Sequence, residues 1–448
     1  MSGLLLIHDA HLVDRDVDIR NASLLIRGER IEGIVTEEAA QKLREDGDVD
    51  VFDAHGRTVM PSFIDMHAHF RDPGFTQKED IASGCRAACA GGFGTVLLMP
   101  NTSPVVSSQE MAEANDRKGA ESGCVQVIQG VSITKDFDGT SLGHLDGLDK
   151  AVVPFISEDG HEVTDSGRMF AAMRIAARKG LLVCCHCEDS FLAGEARGLR
   201  SRALEFLSAN GGSPSTAQQE QAAALLSEAN LLLELAEDTA TLRNIELARK
   251  AGCRLHLCHV STARCIEAVK QAKKDGMALS MEVTPHHIGM AGEKAPGIFH
   301  IVNPPLRSGQ DRDALIKALL SGAADVIATD HAPHTAEDKL HGSPGFSGLE
   351  TAFAVCYTVL VKNRGMGLRS LSERMSARPA ELLGLEGRGL LQEGFEASLA
   401  VVDTEKEWTV HGADFASKGK YTPFEGMTLT GQVQATFWRG KKVWELCR

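Results

Sequence analysis

The sequence predicts a (β/α)8 barrel joined to a small β-sandwich that both termini build together. Three observations carry this prediction. The middle of the chain alternates strand-like and helix-like segments eight times, most of the strand-like segments end in polar residues, and both ends of the chain are rich in short strands broken by Asn, Gly or Asp. A doubly wound sheet would share the alternation, but eight units with polar strand ends favour closure.

The elements follow in order. Strand-like pieces at 4–7, 22–27, 30–35 and 49–52 surround a more helical stretch at 37–44, and 397–403, 408–411 and 428–444 are strand-like at the other end. Residues 1–60 and 389–448 are therefore assigned to the composite sandwich and 61–388 to the barrel. Within the barrel, strand 63–69 precedes helix 79–90, 94–100 precedes 108–121, and 125–134 precedes a poorly defined connection. Strand 151–158 then precedes 165–179, and 181–186 leads into a long helical region reaching 250. Strands 254–260, 278–284 and 325–329 precede helices 263–274, 311–320 and 349–361. Residues 191–250 look enlarged, and the Ala-, Leu- and Glu-rich run 218–250 has room for two helices. It reads either as a solvent-facing barrel helix with an insertion or as a subunit contact.

Composition narrows the function. The chain has 448 residues, 43% hydrophobic and 24% charged, as in an ordinary soluble protein. A net charge of -14 gives nucleic-acid binding little support, though a local arginine can still attract an anionic substrate. No apolar run approaches the ~18 residues of a membrane span. The first residues lack a basic n-region, and eleven cysteines without a short-spaced framework fit reduced thiols. These features predict a cytoplasmic protein.

Active sites of such barrels form at the carboxyl ends of the strands. Those ends carry His67, His69 and Arg71, then Asn101, Asp159, His186, His259 and Asp330, with His334 just beyond. In an extended chain His67, His69 and Arg71 share a face. Leaving His334 aside, four histidines and two carboxylates converge from five strands, a donor set suited to borderline divalent metals such as zinc. It exceeds one closed tetrahedral site and matches two metals with open positions. The segments Cys184-Cys185-His186-Cys187 and His256-Leu257-Cys258-His259 imitate a structural zinc motif. Strand parity argues otherwise: with His186 inward, Cys185 and Cys187 point outward and pack as small hydrophobes. His256 and His259 are expected on opposite faces, and only one of His286 and His287 can face the barrel.

Several ordered motifs now resemble a known family. His67-Ala-His69-Phe-Arg71, Met99-Pro100-Asn101-Thr102, Glu158-Asp159-Gly160, His186-Cys187-Glu188-Asp189, Cys258-His259-Val260-Ser261-Thr262, Thr284-Pro285-His286-His287, Asn303-Pro304-Pro305-Leu306-Arg307 and Asp330-His331-Ala332-Pro333-His334 are similar to those of the dihydroorotases, nearest the bacterial type I form within the amidohydrolase superfamily. The resemblance spans nearly the whole chain. It implies two zinc ions, one held by His67, His69 and Asp330 and the other by His186 and His259, with Asp159 bridging where many relatives use a carboxylated lysine. No lysine lies between 151 and 167. It further implies that His69, Arg71, Asn101, Asn303 and His334 bind substrate, with Pro344 and Gly345 contributing backbone. Ser62 in place of a usual glycine, Glu158 in place of an aspartate and a longer segment before Arg243 depart from the pattern, and none removes a ligand.

The activity so implied is the reversible cyclisation of N-carbamoyl-L-aspartate to L-dihydroorotate and water, a step of de novo pyrimidine (UMP) biosynthesis. Asp330 would accept a proton from the attacking water and pass it to the leaving ring nitrogen. The same resemblance implies a homo-oligomer and admits association with aspartate transcarbamoylase. Two readings compete. One is another cyclic-amide hydrolase, such as an allantoinase or a hydantoinase, although hydantoins lack the carboxylate that Arg71 and Asn101 would bind. The other is a non-catalytic, dihydroorotase-like scaffold for aspartate transcarbamoylase. Such chains have lost metal ligands, whereas all six positions here carry ligand residue types.

Overall fold

Parallel pairing runs around the middle of the chain without a gap. In the computed structural model, which describes residues 3–47, 49–292 and 300–446, Phe63–Ala68 pairs with Phe93–Leu98 and that strand with Gln126–Gln129. Val131–Ser132 continues the third strand past Gly130 and pairs with Phe155–Ser157. Leu182–Cys185, Arg254–Leu257, Leu279–Val283 and Val326–Ile327 follow in sequence order. The ring closes where Ala68 bridges His331 and the His69 N–H donates to the His331 carbonyl at 2.8 Å. Beneath that bridge Asp65 accepts from the Thr329 N–H at 2.9 Å and from its hydroxyl at 2.5 Å, tying the first strand to the eighth. All eight expected strands are present, and closure excludes the doubly wound alternative.

The helices begin where side-chain acceptors can satisfy their first N–H groups. Asp80 caps Ile81–Ala90 in a reciprocal capping box, and Ser108, Asp165, Thr262 and Ser308 cap Gln109–Glu121, Ser166–Lys179, Ala263–Lys274 and Gly309–Ser321. After the third strand the connection holds only two short 3-10 turns, Lys135–Phe137 and Gly143–Gly147. The enlarged region corrects the sequence reading. Residues 218–250 lie within one uninterrupted helix, Thr216–Ala251, and the second helix, Ser190–Gly212, precedes it. No Gly or Pro interrupts the later run, while Ser213-Pro214-Ser215 breaks the chain between the two helices.

Two apolar layers follow strand parity. Ile64, Met66, Leu97, Phe155, Leu182, Cys184, Cys258 and Ala328 fill the barrel interior, whereas Leu98, Val183, Cys185, Leu257 and Ile327 pack outward against the helices. All ten described cysteines are free thiols. Strands from both ends of the chain share one eight-stranded sheet, with Thr58–Pro61 paired to Leu4–Val13 on one side and to Leu399–Thr409 on the other. Phe52, on the strand beside Leu4–Val13 and in line with Thr58–Pro61, meets Phe437 edge-to-face at 5.0 Å, although Leu399–Thr409 stands between their positions in the sheet. The sheet therefore folds over a shared core containing Ile7, Leu24, Val59, Leu399 and Phe437.

Candidate metal centre and substrate cleft

Local irregularities aim the polar side chains. The register shifts between Asp65 and Ala68, so His67 and His69 face the interior although Met66 does too. Arg71, His259 and Asp330 adopt left-handed backbone, with φ of 56°, 34° and 47°. Non-glycine residues rarely take this conformation, and it concentrates at functional sites. At His259 it also overturns the parity expectation. His256 and His259 both face inward, because the strand turns between Cys258 and His259.

The six expected ligand residues meet in one buried cluster. Asp159 stands at its centre: Oδ1 is 3.4 Å from His67 Nε2, 3.5 Å from His186 Nδ1 and 3.8 Å from His259 Nε2, and Oδ2 is 3.5 Å from His69 Nε2. Asp330 Oδ1 lies 3.2 Å from His69 Nε2 and 3.6 Å from His67 Nε2. His186 Nδ1 and His259 Nε2 approach to 2.9 Å. His67, His69 and Asp330 form one compact donor group, and His67, Asp159 and His259 another. His67 Nε2 and Asp159 Oδ1 are shut off from solvent and have no hydrogen-bond partner. Two such orphans facing each other fit a cation between them.

The electrostatics agree. Burial would strip the protons from His67 and His186, yet Glu282 and Asp159 around the first, and Asp159 and Glu188 around the second, hold both rings well above the ordinary histidine range. Burial would likewise raise Asp330, but the His69 hydrogen bond and the charge of His67 hold it well below the ordinary carboxylate range. Burial instead lowers His69, but around His67 and His186 positive charge is favoured, and a divalent cation would supply it in place of protons.

Above the cluster opens a cavity of about 240 Å³, lined by His69, Arg71, Asn101, Asn303, His334, Pro344 and Gly345 among others. Every residue expected to bind substrate borders it. Asn101 lies between cluster and cavity, its Oδ1 2.9 Å from His69 Nδ1 and its Nδ2 donating to Asp159 Oδ2 at 3.1 Å. Arg71 Nη2 is 3.4 Å from His334 Nε2, which in turn lies 2.9 Å from the Pro344 carbonyl oxygen. Among the described residues no carboxylate comes within 4.0 Å of Arg71, and its enclosed Nε has no partner. Gly345 has a φ of 135°, and a Cβ there would lie 2.6 Å from the Ala332 carbonyl oxygen, so only glycine allows this approach.

Sequence reasoning missed the support beneath the ligands. Glu282 Oε1 is 2.7 Å from His67 Nδ1 and accepts from the His259 N–H at 2.9 Å, while Oε2 is 2.9 Å from His256 Nε2. A lone acid inside the apolar strand Leu279–Val283 was the available signal. Cys258 neighbours His67 and Glu282, but burial pushes its thiol well above the ordinary range, so it stays protonated and packs in the interior. Glu188, also missed, lies 3.8 Å from His186 Nε2. His286 and His287 are both buried: His287 is held by Thr284 at 2.7 Å and the Pro304 carbonyl at 3.1 Å, and His286 packs edge-on against Phe346.

Comparison with known proteins agrees with this architecture. The Amidohydrolase family pattern matches residues 58–443. The chain is 39% identical to a dihydroorotase of Clostridium botulinum over 98% of both chains, and 37% identical to a dihydroorotase of Bacillus subtilis over 98% of both. Among solved structures, an L-hydantoinase (dihydropyrimidinase) from Arthrobacter aurescens superposes with a TM-score of 0.84 at 23% identity, over 98% of this chain and 96% of that one, which shows a common fold. With its barrel, its buried histidine–carboxylate cluster and relatives of this identity along its whole length, the chain belongs to the amidohydrolase family and, within it, to the dihydroorotases.

Proposed function

We infer that the chain catalyses the reversible cyclisation of N-carbamoyl-L-aspartate to L-dihydroorotate and water, in de novo UMP biosynthesis. One observation carries this choice of substrate: a cluster able to hold divalent metal shares its cavity with Arg71, an arginine without a carboxylate partner. Dihydroorotate and carbamoyl aspartate bring a carboxylate to meet it, and hydantoin and allantoin do not.

His67, His69 and Asp330 would hold one zinc ion and His186 and His259 the other, with Asp159 between them. Bound there, zinc would supply Lewis acidity at neutral pH. Asp330, kept ionised, accepts the proton of the attacking water and returns it to the ring nitrogen as the carbon–nitrogen bond breaks. Arg71 receives the substrate carboxylate in paired hydrogen bonds. His69, Asn101, Asn303, His334 and the backbone of Pro344 and Gly345 complete the substrate's surroundings. In this reading residues 61–388 form the catalytic barrel and 1–60 with 389–448 the composite sandwich. The protein works in the cytoplasm as a homo-oligomer. Among the described residues no helix is long and apolar enough to cross a membrane. Association with aspartate transcarbamoylase is the remaining part of the reading, tested by co-purification.

The deciding experiment assays purified protein with dihydroorotate, allantoin and a hydantoin, before and after chelation and with zinc restored, alongside metal analysis. Hydrolysis of dihydroorotate alone, lost on chelation and recovered with zinc, is expected. Turnover of a hydantoin without dihydroorotate would replace the reading with a hydantoinase, and inactivity towards all three would favour the scaffold.

A further inference from the structure

Two cations that no part of the chemistry above uses grip the wall of the cleft from behind. Arg200, on the helix Ser190–Gly212 and 9% exposed, donates from Nη1 to Asn303 Oδ1 at 2.5 Å and from Nη2 to the Val302 carbonyl at 3.4 Å. Lys339, on the short helix Ala336–Leu340, is wholly buried. Its Nζ donates to the carbonyls of Ile301 at 3.2 Å, Ser343 at 2.9 Å and Gly345 at 2.9 Å. An ammonium carries three donors, and each has found an acceptor. The Gly345 N–H also donates to the Ile301 carbonyl at 3.0 Å, so segments 301–303 and 343–345 meet directly and share the lysine.

No carboxylate among the described residues lies within 4.0 Å of either cation, and only the more distant charge of Glu188 acts on Arg200. Burial pushes Lys339 down to about 7 and Arg200 down to about 10. An unpaired buried charge is unfavourable, and an apolar side chain would normally fill such a space more cheaply. Here, however, an apolar replacement would leave the Ser343 and Gly345 carbonyls without donors and the Ile301 carbonyl with the Gly345 N–H alone. The two segments served are those that carry Asn303, Pro344 and Gly345 into the cavity. Because Arg200 occupies Asn303 Oδ1, the carboxamide has its NH2 group left to offer, a donor suited to a carboxylate or carbonyl oxygen of substrate.

We propose that Arg200 and Lys339 are positioning residues for substrate: they fasten segments 301–303 and 343–345 together and orient the Asn303 amide and the Pro344–Gly345 backbone toward the bound molecule. This assigns a task to the enlarged helical region, whose first helix delivers Arg200 to the cleft. The inference rests on the dihydroorotase reading.

Steady-state kinetics on dihydroorotate with Arg200→Met, Lys339→Met and Lys339→Gln provide the test, with zinc content and thermal unfolding measured on each variant. Lys339→Gln keeps two donors and carries the lysine test where Lys339→Met fails to fold. The expected result is a KM raised about 10-fold or more for Arg200→Met and Lys339→Met, and less for Lys339→Gln, with kcat within about 3-fold and zinc unchanged. A merely structural role would lower the yield of active protein and leave KM alone. Wild-type KM in folded Arg200→Met and Lys339→Gln overturns the inference. Failure of the wild type to turn over dihydroorotate sinks the functional reading instead, which separates the two.

Discussion

Glu282 Oε1 lies 2.7 Å from His67 Nδ1, so one ring nitrogen is engaged and Nε2 is left to face Asp159 and Asp330. The same carboxylate reaches His256 Nε2 at 2.9 Å and the His259 N–H at 2.9 Å, linking three strands beneath the cluster. A buried acid in this place selects the tautomer of His67 and makes its outward nitrogen a better donor to a cation. Glu282→Gln should therefore reduce metal affinity about 10–100-fold while the barrel remains folded. Zinc titration of the stripped protein, read beside circular dichroism, checks it.

Asp330 combines contact to His69 at 3.2 Å with an ionised carboxylate. Asp330→Ala should lower turnover by more than the ~10²–10⁴-fold typical of losing an acid–base group, because in the function proposed above a metal ligand would disappear with it. Single-turnover assays at saturating dihydroorotate, with zinc in excess, measure this, and near-normal turnover would remove Asp330 from the reaction.

Arg71 is a matter of shape as much as charge. A planar fork can make two parallel bonds to a carboxylate, and an ammonium cannot. Arg71→Lys should raise KM for dihydroorotate about 10–100-fold, the scale of one hydrogen bond to a charged group, with a smaller change in kcat. An unchanged KM would show that another residue receives the carboxylate.

Arg307 pairs with Glu237 at 2.9 Å, donates to the Ser261 hydroxyl at 2.9 Å and reaches the Leu233 carbonyl at 3.0 Å, all in buried surroundings. Removing one member strands the other. Glu237→Ala should destabilise the protein by about 3–5 kcal/mol, seen as a lowered denaturant midpoint. A change below ~1 kcal/mol would mean that Arg307 finds water or another acceptor.

Glu350 yields a pH-dependent prediction. Burial pushes its carboxyl up to about 7, despite hydrogen bonds from the Ala416 N–H at 2.9 Å and the Ser417 N–H at 3.1 Å. Between the ordinary carboxylate range and about 7 the folded protein holds this proton more tightly than the unfolded chain does, so this group's contribution to stability falls as pH rises through that window. Glu350→Gln should raise Tm at pH 8 and change it much less at pH 5, a difference of about 2–3 kcal/mol that calorimetry at the two pH values resolves.

The barrel was legible because its signals are local. Alternating strand and helix patterns, caps such as Asp80, Asp165 and Thr262, and polar residues after apolar strands all lie within a few positions of one another. His67, His69, Asp159, His186, His259 and Asp330 were visible for the same reason: each terminates a strand, and the carboxyl ends of barrel strands converge. The division of labour among helices was less legible. Residues 218–250 had the composition for two helices, and only the observed continuity of Thr216–Ala251 resolved them into one.

By itself the sequence determined that eight parallel strands would bring four histidines and two carboxylates to one mouth of a barrel, since strand parity and chain order require nothing from distant residues. Tertiary structure alone decided what stands behind them. His259 joins His256 on the inner face only because its backbone turns left-handed, Glu282 serves His67 from 215 residues away, and Arg200 meets Asn303 across 103. Such contacts depend on where the closed barrel places side chains in three dimensions, and no local pattern encodes a hydrogen bond between residues that far apart.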